Sequence, residues 1–404
     1  MSDETQSLDV FRQKVAKFLD EELSDRIREG GKKTTSMFSP FAEAMAFQQA
    51  LHAKGWSGVS WPREYGGTGW SLAQQNIFQE ECRVRELPFL LPNGLQMVGP
   101  VLMKFGTEEQ KQRYLPGILS GEEYWAQGYS EPGSGSDLVS LKCRADRDGD
   151  EYVINGSKIW TTYAHHSKRM FMLVRTDFDC KPQRGITFLL LDSLDLPGME
   201  VREIIGLDGV PEQCEVFFDN VRVPISNRLG EENDGWSVAK YLLVHERGSS
   251  LSMGVIMENE LQRIRRLASE MGDGFGGVLV DDSAFQRRFA DLQREAATVD
   301  ALEDKMFRID KSSPESGPYS SLIKIAWTES LQRLCEFAID VCGSVSLPLQ
   351  LAALEVGSGV EPIGPEDALT LMPKYLNNHA ASIYGGSNEI QREIIAKAIV
   401  DGRN

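Results

Sequence analysis

The chain contains no CxxC pair, and its six cysteines, at positions 82, 143, 180, 214, 335 and 342, form no His-rich spacing with its five histidines. That pattern indicates neither a zinc site nor a disulfide framework, and it fits a reducing compartment. No apolar run approaches the roughly 18 residues that would span a bilayer. The opening residues, MSDETQSLDVFRQ, are acidic and polar where a secretory leader would be basic and apolar, so a cytoplasmic protein with no membrane partner is expected. A basic excess is also missing. The formal net charge of −17 argues against nucleic acid or an anionic membrane surface as partner, and an anionic ligand would have to be met by local cations. There is no internal repeat and no low-complexity tract. What is present is 404 residues, 41% of them hydrophobic, enough for a sizeable core in two or three domains or one layered enzyme.

The most informative stretch runs from Ala126 to Thr162. Glycine and serine dominate Glu131-Pro132-Gly133-Ser134-Gly135-Ser136-Asp137, leaving backbone N–H groups and short hydroxyls free to hold a phosphate. Two short β-like runs follow, Cys143 to Ala145 and Glu151 to Ile154, joined by an acidic turn. Asn155-Gly156 then predicts a hairpin that returns Lys158-Ile159-Trp160-Thr161-Thr162 to the glycine-serine loop. An indole for a flat ring beside a phosphate-sized nest suggests an extended dinucleotide. Local pattern alone favours, by about two to one, an ordinary β-domain with Gly-rich turns and one core Trp.

Around this stretch the chain reads α, then β, then α, an α+β fold with units at 1–123, 124–234 and 235–404. Val10, Phe11, Val15, Phe18, Leu19 and Leu23 recur at helical spacing. A loop is expected over 28–36 and a helix over 41–54; Ser71 is the expected N-cap of a helix to Arg85, and Thr107 with Gln110 forms a capping-box start after a helix over 95–105. Short β-like runs occupy 169–175, 185–191, 199–205 and 215–218. Helical patterns return at 236–269, 283–308, 319–342 and 372–400, with an irregular connection at 343–365.

The run from Tyr129 to Thr162 resembles the flavin-binding signature of the acyl-CoA dehydrogenase family: Glu131-Pro132 with Gly135-Ser136-Asp137, then Asn155-Gly156-Ser157-Lys158-Ile159-Trp160-Thr161-Thr162. Further landmarks similar to the family's are Trp61-Pro62-Arg63-Glu64-Tyr65-Gly66-Gly67, Phe105-Gly106-Thr107-Glu108-Glu109-Gln110, Phe217 to Pro224, and Tyr384-Gly385-Gly386-Ser387-Asn388-Glu389-Ile390-Gln391. The resemblance implies a helical N-terminal domain, a central β-barrel-like domain and a C-terminal helical bundle. It also implies an FAD enzyme that converts an acyl-CoA thioester to its trans-2-enoyl product and passes electrons to an electron-transfer flavoprotein.

Such chemistry needs a carboxylate within reach of the thioester's α-proton, with burial raising its pKa toward a useful range. Many members carry that base in Tyr-Glu-Gly-Thr; here the motif reads Tyr384-Gly385-Gly386-Ser387, and Gly385 has no side chain. A subset places the glutamate before an arginine on the helix after the β-domain, which matches Glu246-Arg247. The resemblance therefore implies Glu246 as base, with Asp234 and Glu389 as substitutes. An arbitrary Glu-Arg pair would otherwise be a solvated helix face. By the same match, Gln127, Tyr129 and Ser130 meet the isoalloxazine. Gly135 and Ser136 lie on the pyrophosphate loop, Trp160 and Thr162 flank the ring, and Ser387 and Glu389 fall on the adenosine side. Ser136 and Arg247 are carried over as substrate contacts.

Two segments that members lend to a neighbouring subunit's FAD are altered. The Arg-x-x-Phe-Gly stretch reads Gly272-Asp273-Gly274-Phe275-Gly276, and the Gln-x-x-Gly-Gly-x-Gly stretch reads Ile339-Asp340-Val341-Cys342-Gly343-Ser344-Val345. A tetramer is implied, either of identical chains or with a homologous sister subunit of a heteromeric bacterial enzyme acting in fatty-acid or steroid side-chain β-oxidation. A same-fold flavin oxidase or monooxygenase and a non-catalytic subunit are the rival readings. His165 and His166, adjacent and thus on opposite faces if on a strand, are expected as loop or surface residues without a metal.

Overall fold

The computed structural model describes residues 3–247, 252–310, 313 and 315–400, and side chains of 3–6, 244–247 and 307 fall outside what is described. The N-terminal part is helical: α1 (Asp3–Glu21), α2 (Asp25–Lys32), α3 (Phe41–Ala53), α4 (Leu72–Val84), α5 (Gly99–Phe105) and α6 (Glu108–Ser120). The apolar stripe of α1, Val15, Phe18 and Leu19, packs with Phe47 and Leu51 of α3 and Phe78 of α4. Both expected caps form. Ser71 Oγ accepts the Gln74 N–H and the Gln74 side chain accepts the Ser71 N–H, and Thr107 and Gln110 repeat the exchange.

Part of the loop expected over 28–36 is instead α2, capped by Ser24 Oγ on the Ile27 N–H. Its Gly30-Gly31 pair lowers intrinsic helix preference, yet a Cβ on Gly31 would collide with the Glu86 carbonyl, so close backbone packing outweighs propensity there. The helix expected over 95–105 starts earlier, with a π-helical turn at Asn93–Val98 whose Leu95 carbonyl accepts the Trp61 indole N–H at 2.7 Å.

An eight-stranded sheet follows, built from β1 (Trp125–Gly128), β2 (Arg144–Asp148), β3 (Glu151–Lys158), β4 (Arg169–Arg175), β5 (Ile186–Leu191), β6 (Met199–Ile204), β7 (Gln213–Pro224) and β8 (Arg228–Leu229). The order is β6-β7-β3-β2-β4-β5-β8, with β1 parallel to β4. Strands β4 and β5 are buried throughout because one face meets the helical core around Val98, Leu102 and Leu242 and the other meets a second cluster around Ile154 and Val216. The hairpin expected at Asn155-Gly156 does not form. Strand β3 runs on to Lys158, and its register against β7 slips between Ile154 and Gly156. The local turn signal loses to continuous pairing with β7, and Gly156, at φ +141°, fits against Cys143 as a bulge.

The C-terminal part holds α7 (Gly235–Arg247), α8 (Met253–Glu270), α9 (Ser283–Arg308), α10 (Ser316–Cys342), α11 (Leu351–Leu354), α12 (Leu371–Asn378) and α13 (Asn388–Val400). Helices α8, α9 and α10 share a core of Leu261, Ile264, Phe289, Val299, Leu334 and Phe337. The single pattern expected over 236–269 is two helices, α7 and α8. The one expected over 372–400 ends as α-helix at Asn378, passes through a 3-10 turn at His379–Ser382 and resumes at Asn388, after Gly385 (φ +66°) and Gly386 (φ +83°) take left-handed conformations that a helix cannot continue. No helix among the described residues is long and apolar enough to cross a membrane.

Candidate active site

The glycine-serine loop is held from beneath by a buried ion pair. Lys158, with no exposed surface, donates to the Glu131 carboxylate at 2.7 Å and to the Tyr129 carbonyl at 3.1 Å. Glu131 also accepts the backbone N–H groups of Lys142 (2.6 Å) and Cys143 (2.9 Å), so its carboxylate is met from three directions. Glu131 and Ser134 exchange backbone hydrogen bonds, and Ser134 Oγ donates to the Asp137 carbonyl at 2.8 Å. With the flanks fixed, Gly133, Gly135 and Ser136 stay exposed, and a Cβ on either glycine would meet nothing within 4 Å. The loop thus offers a rigid, unobstructed backbone rim. Sequence reasoning assigned Lys158 no role; the signal it carried was a lysine at an inward position of β3, in step with Tyr152 and Ile154.

The indole stands at the same end of the sheet. The Ile159 N–H bonds the Ser130 carbonyl at 2.9 Å, and Thr161 exchanges backbone bonds with Cys214 at 3.0 and 3.1 Å. Between these anchors Trp160 sits at φ +59° with 58% of its surface exposed. A bulky residue in left-handed backbone with an outward ring costs about 1–3 kcal/mol, and such strain collects at functional sites. Thr162 Oγ1 donates to Gln213 Oε1 at 3.2 Å. Gln127, in β1, is half-buried, and Tyr129 is buried edge-on to Phe171 and Phe188.

Behind Trp160, the segment from Thr34 to Ser39 ties the sheet to the N-terminal helices. Glu212, whose carbonyl accepts the Tyr163 N–H, is hydrogen-bonded through its carboxyl to Ser36 Oγ and Gln213 Nε2. Burial pushes this carboxyl up, against the pull of those two donors. Tyr163 donates to the Ser39 carbonyl at 3.2 Å, and the Phe89 N–H donates to Ser39 Oγ at 2.9 Å.

The remaining expected residues lie on other elements. Ser387 and Glu389 are at the start of α13, where the Glu389 carboxyl is exposed and held low by its own N–H and the Ser387 hydroxyl. Asn388 between them is buried against Lys324 Nζ at 2.7 Å, and burial pushes Lys324 down to about 8. Asp234 accepts the Ser237 hydroxyl at 2.7 Å, beside the start of α7. Glu246 and Arg247 are the last residues of α7, and their side chains lie outside the described residues. In the altered lending loop, Asp273 accepts the N–H groups of Phe275 and Gly277, and Phe275 projects fully into solvent. His165 and His166 lie in a loop turn, as expected, but they are not on opposite faces. A 3-10 helix over Ala164–His166 brings their rings to 4.0 Å, and His165 Nδ1 lies 3.1 Å from Cys214 Sγ.

Comparison with known proteins places this geometry in context. The chain matches the N-terminal, middle and C-terminal domain profiles of acyl-CoA dehydrogenase over residues 5–122, 126–221 and 233–400. It is 36% identical over 363 residues to the acyl-CoA dehydrogenase IpdE1 of Mycobacterium tuberculosis, covering 89% of this chain and 88% of that protein. Among solved structures it is similar to the Tcur3481-Tcur3483 steroid ACAD, with TM-score 0.82, 29% identity and coverage of 99% and 98% of the two chains. It is also similar to the ChsE4-ChsE5 complex from Mycobacterium tuberculosis, with TM-score 0.81, 27% identity and 98% of each chain covered.

Proposed function

The chain belongs to the acyl-CoA dehydrogenase family, and from that premise we propose that it forms a trans-2-enoyl-CoA with Glu246 as the α-proton base. The observation that carries this reading is Gly385. At the position where many members hold their glutamate, this chain has a left-handed glycine with open space above its Cα. A carboxylate must come from elsewhere, and Glu246 in the last turn of α7 is the candidate that the family's alternative pattern supplies.

The residues present suit FAD, the family's cofactor: the open rim at Gly133–Ser136 for the pyrophosphate, and the outward Trp160 indole with Gln127, Tyr129, Ser130 and Thr162 for the flat ring. When bound, FAD supplies the acceptor for the hydride that leaves the β-carbon. Glu246 takes the proton from the α-carbon, so the thioester loses H⁺ and H⁻ and gains one C=C bond. Ser387 and Glu389 serve the adenosine side, Ser136 and Arg247 the CoA ester, and an electron-transfer flavoprotein is the onward acceptor.

The missing arginine in Gly272–Gly276 supports a heteromer in which a sister chain completes the FAD site. The two similar structures named above are likewise two-component assemblies by name.

The test is the purified enzyme, with its sister chain if that is needed to retain FAD, mixed anaerobically with acyl-CoA. The Glu246→Gln variant should keep FAD and bind the ester but lose flavin bleaching by 10³-fold or more, roughly the upper range for removing a general base. Unchanged bleaching in that variant would remove Glu246 from the mechanism.

A further inference from the structure

A cavity of about 90 Å³ lies between the N-terminal and C-terminal helices. That is several times the roughly 10–15 Å³ one water needs. Its apolar wall includes Met253, Ile256 and Leu331. Thr34 and Ser36 close one side, on the segment that also holds Glu212 and Tyr163 behind Trp160. The helix that begins at Met253 is the next element after the one ending in Glu246-Arg247.

Three residues of this wall carry donors without a partner. The Nε and Nη1 of Arg83, the Nε of Arg263 and the indole Nε1 of Trp327 are shut from solvent without a hydrogen-bond partner among the described residues. Arg83 lies over the Phe89 ring at 3.8 Å, and burial pushes its guanidinium down to about 10. The other charges on the wall are already matched: Arg263 with Glu86, and Lys374 with Glu260. Among the described residues Arg83 is left without an ion-pair partner. Glu303, the carboxyl whose field reaches it, is committed to the backbone N–H groups of Met253 and Gly254.

Buried donors without partners cost free energy unless something fills the place of the partner. Here the complement is an oxygen acceptor, and the residual charge favours an anionic one. Resting on the dehydrogenase reading, we propose that this cavity receives the far end of the acyl group and that Arg83 and Trp327 bind an oxygen there, selecting acyl chains that end in a carboxylate. A terminal ketone shares the acceptor chemistry without the charge.

The experiment compares FAD-loaded protein, wild type and Arg83→Met, Arg83→Lys and Trp327→Phe, on three sets of CoA esters: hexanedioyl, octanedioyl and decanedioyl; plain acyl esters of equal length; and the matching methyl ketones. Affinity for unreactive thioether analogues is measured alongside kcat/KM. In the wild type, one of the dioyl esters should exceed its plain counterpart by roughly 10- to 100-fold in both readouts, with the ketone between them. Arg83→Met should erase that preference while changing the plain ester less than about threefold, and Arg83→Lys should keep part of it. Because Arg83 makes no side-chain hydrogen bond among the described residues and Met keeps an apolar side chain against Phe89, the Arg83→Met protein should melt close to wild type, which separates ligand binding from a scaffold role. Equal treatment of the three ester sets by wild type, or a preference that survives Arg83→Met, overturns the proposal. Preferential binding of the dioyl analogue with no flavin reduction by any ester would instead leave the cavity's role standing and count against the dehydrogenase reading.

Discussion

Two glycine-bearing segments of this molecule, Glu131–Asp137 and Tyr384–Ser387, share composition but differ in how they are held. The first sits on a fully buried Lys158-Glu131 pair reinforced by two backbone N–H groups, with its left and right flanks pinned to each other. The second is steadied by Gln391, whose side-chain amide reaches the carbonyls of Gly385 and Gly386 at 3.1 and 3.2 Å, and it lies at a break between helices. Glycine supplies freedom in both places. Only in the first does a buried ion pair take that freedom away again, leaving an ordered rim open to a ligand.

The largest expected effect comes from breaking the first support. Lys158→Met strands the Glu131 carboxylate beneath the loop and should lower unfolding free energy by about 3–5 kcal/mol in urea titration. A loss under about 1 kcal/mol would mean the loop does not depend on the pair. Gly385→Ala probes the second segment. The site has room for a Cβ, so the cost should be confined to the left-handed backbone, about 1–2 kcal/mol, with FAD content nearly unchanged.

Glu212→Gln tests the ground behind Trp160. Burial raises the Glu212 carboxyl above its ordinary 4.5, so its contribution to stability is present below that value and is lost as pH rises through the raised folded value. The Gln variant should therefore gain in melting temperature relative to wild type between about pH 4 and pH 8, and a gap that shrinks over that range would reverse the assignment. The smallest structural effect is expected from Gly135→Ala. With open space at the Cβ it should shift stability by less than about 0.5 kcal/mol, yet added bulk on the rim should lower retained FAD, measured as flavin absorbance per chain.

What could be seen in the sequence was what neighbouring residues decide. The capping boxes at Ser71 and Thr107 are three-residue exchanges, and both form as expected. The short, nearly continuous apolar runs that mark β4 and β5 as strands are equally local. Asn155-Gly156 misled because its turn chemistry is real but β7, far along the chain, supplies a full set of ladder partners that the turn would have forfeited. Gly30-Gly31 misled in the opposite sense, since a distant carbonyl favours a helix that the glycines alone do not. The support under the glycine-serine loop and the orphan donors of the cavity were hidden for the same reason. Lys158 meets Glu131, and Arg83 and Trp327 come to line one cavity, only once the chain has folded.

The six unpaired thiols have a practical consequence. Cys82 is buried beside α1, Cys143 under the glycine-serine loop, Cys214 on β7, and Cys335 and Cys342 in the C-terminal bundle, while Cys180 is partly accessible. Burial also pushes the shielded thiols above their ordinary pKa, so they are doubly protected from alkylation. Each region thus carries its own native timer. Pulse alkylation followed by peptide mass spectrometry would read the opening rate of the N-terminal helices, the sheet and the bundle separately, without introducing a single label.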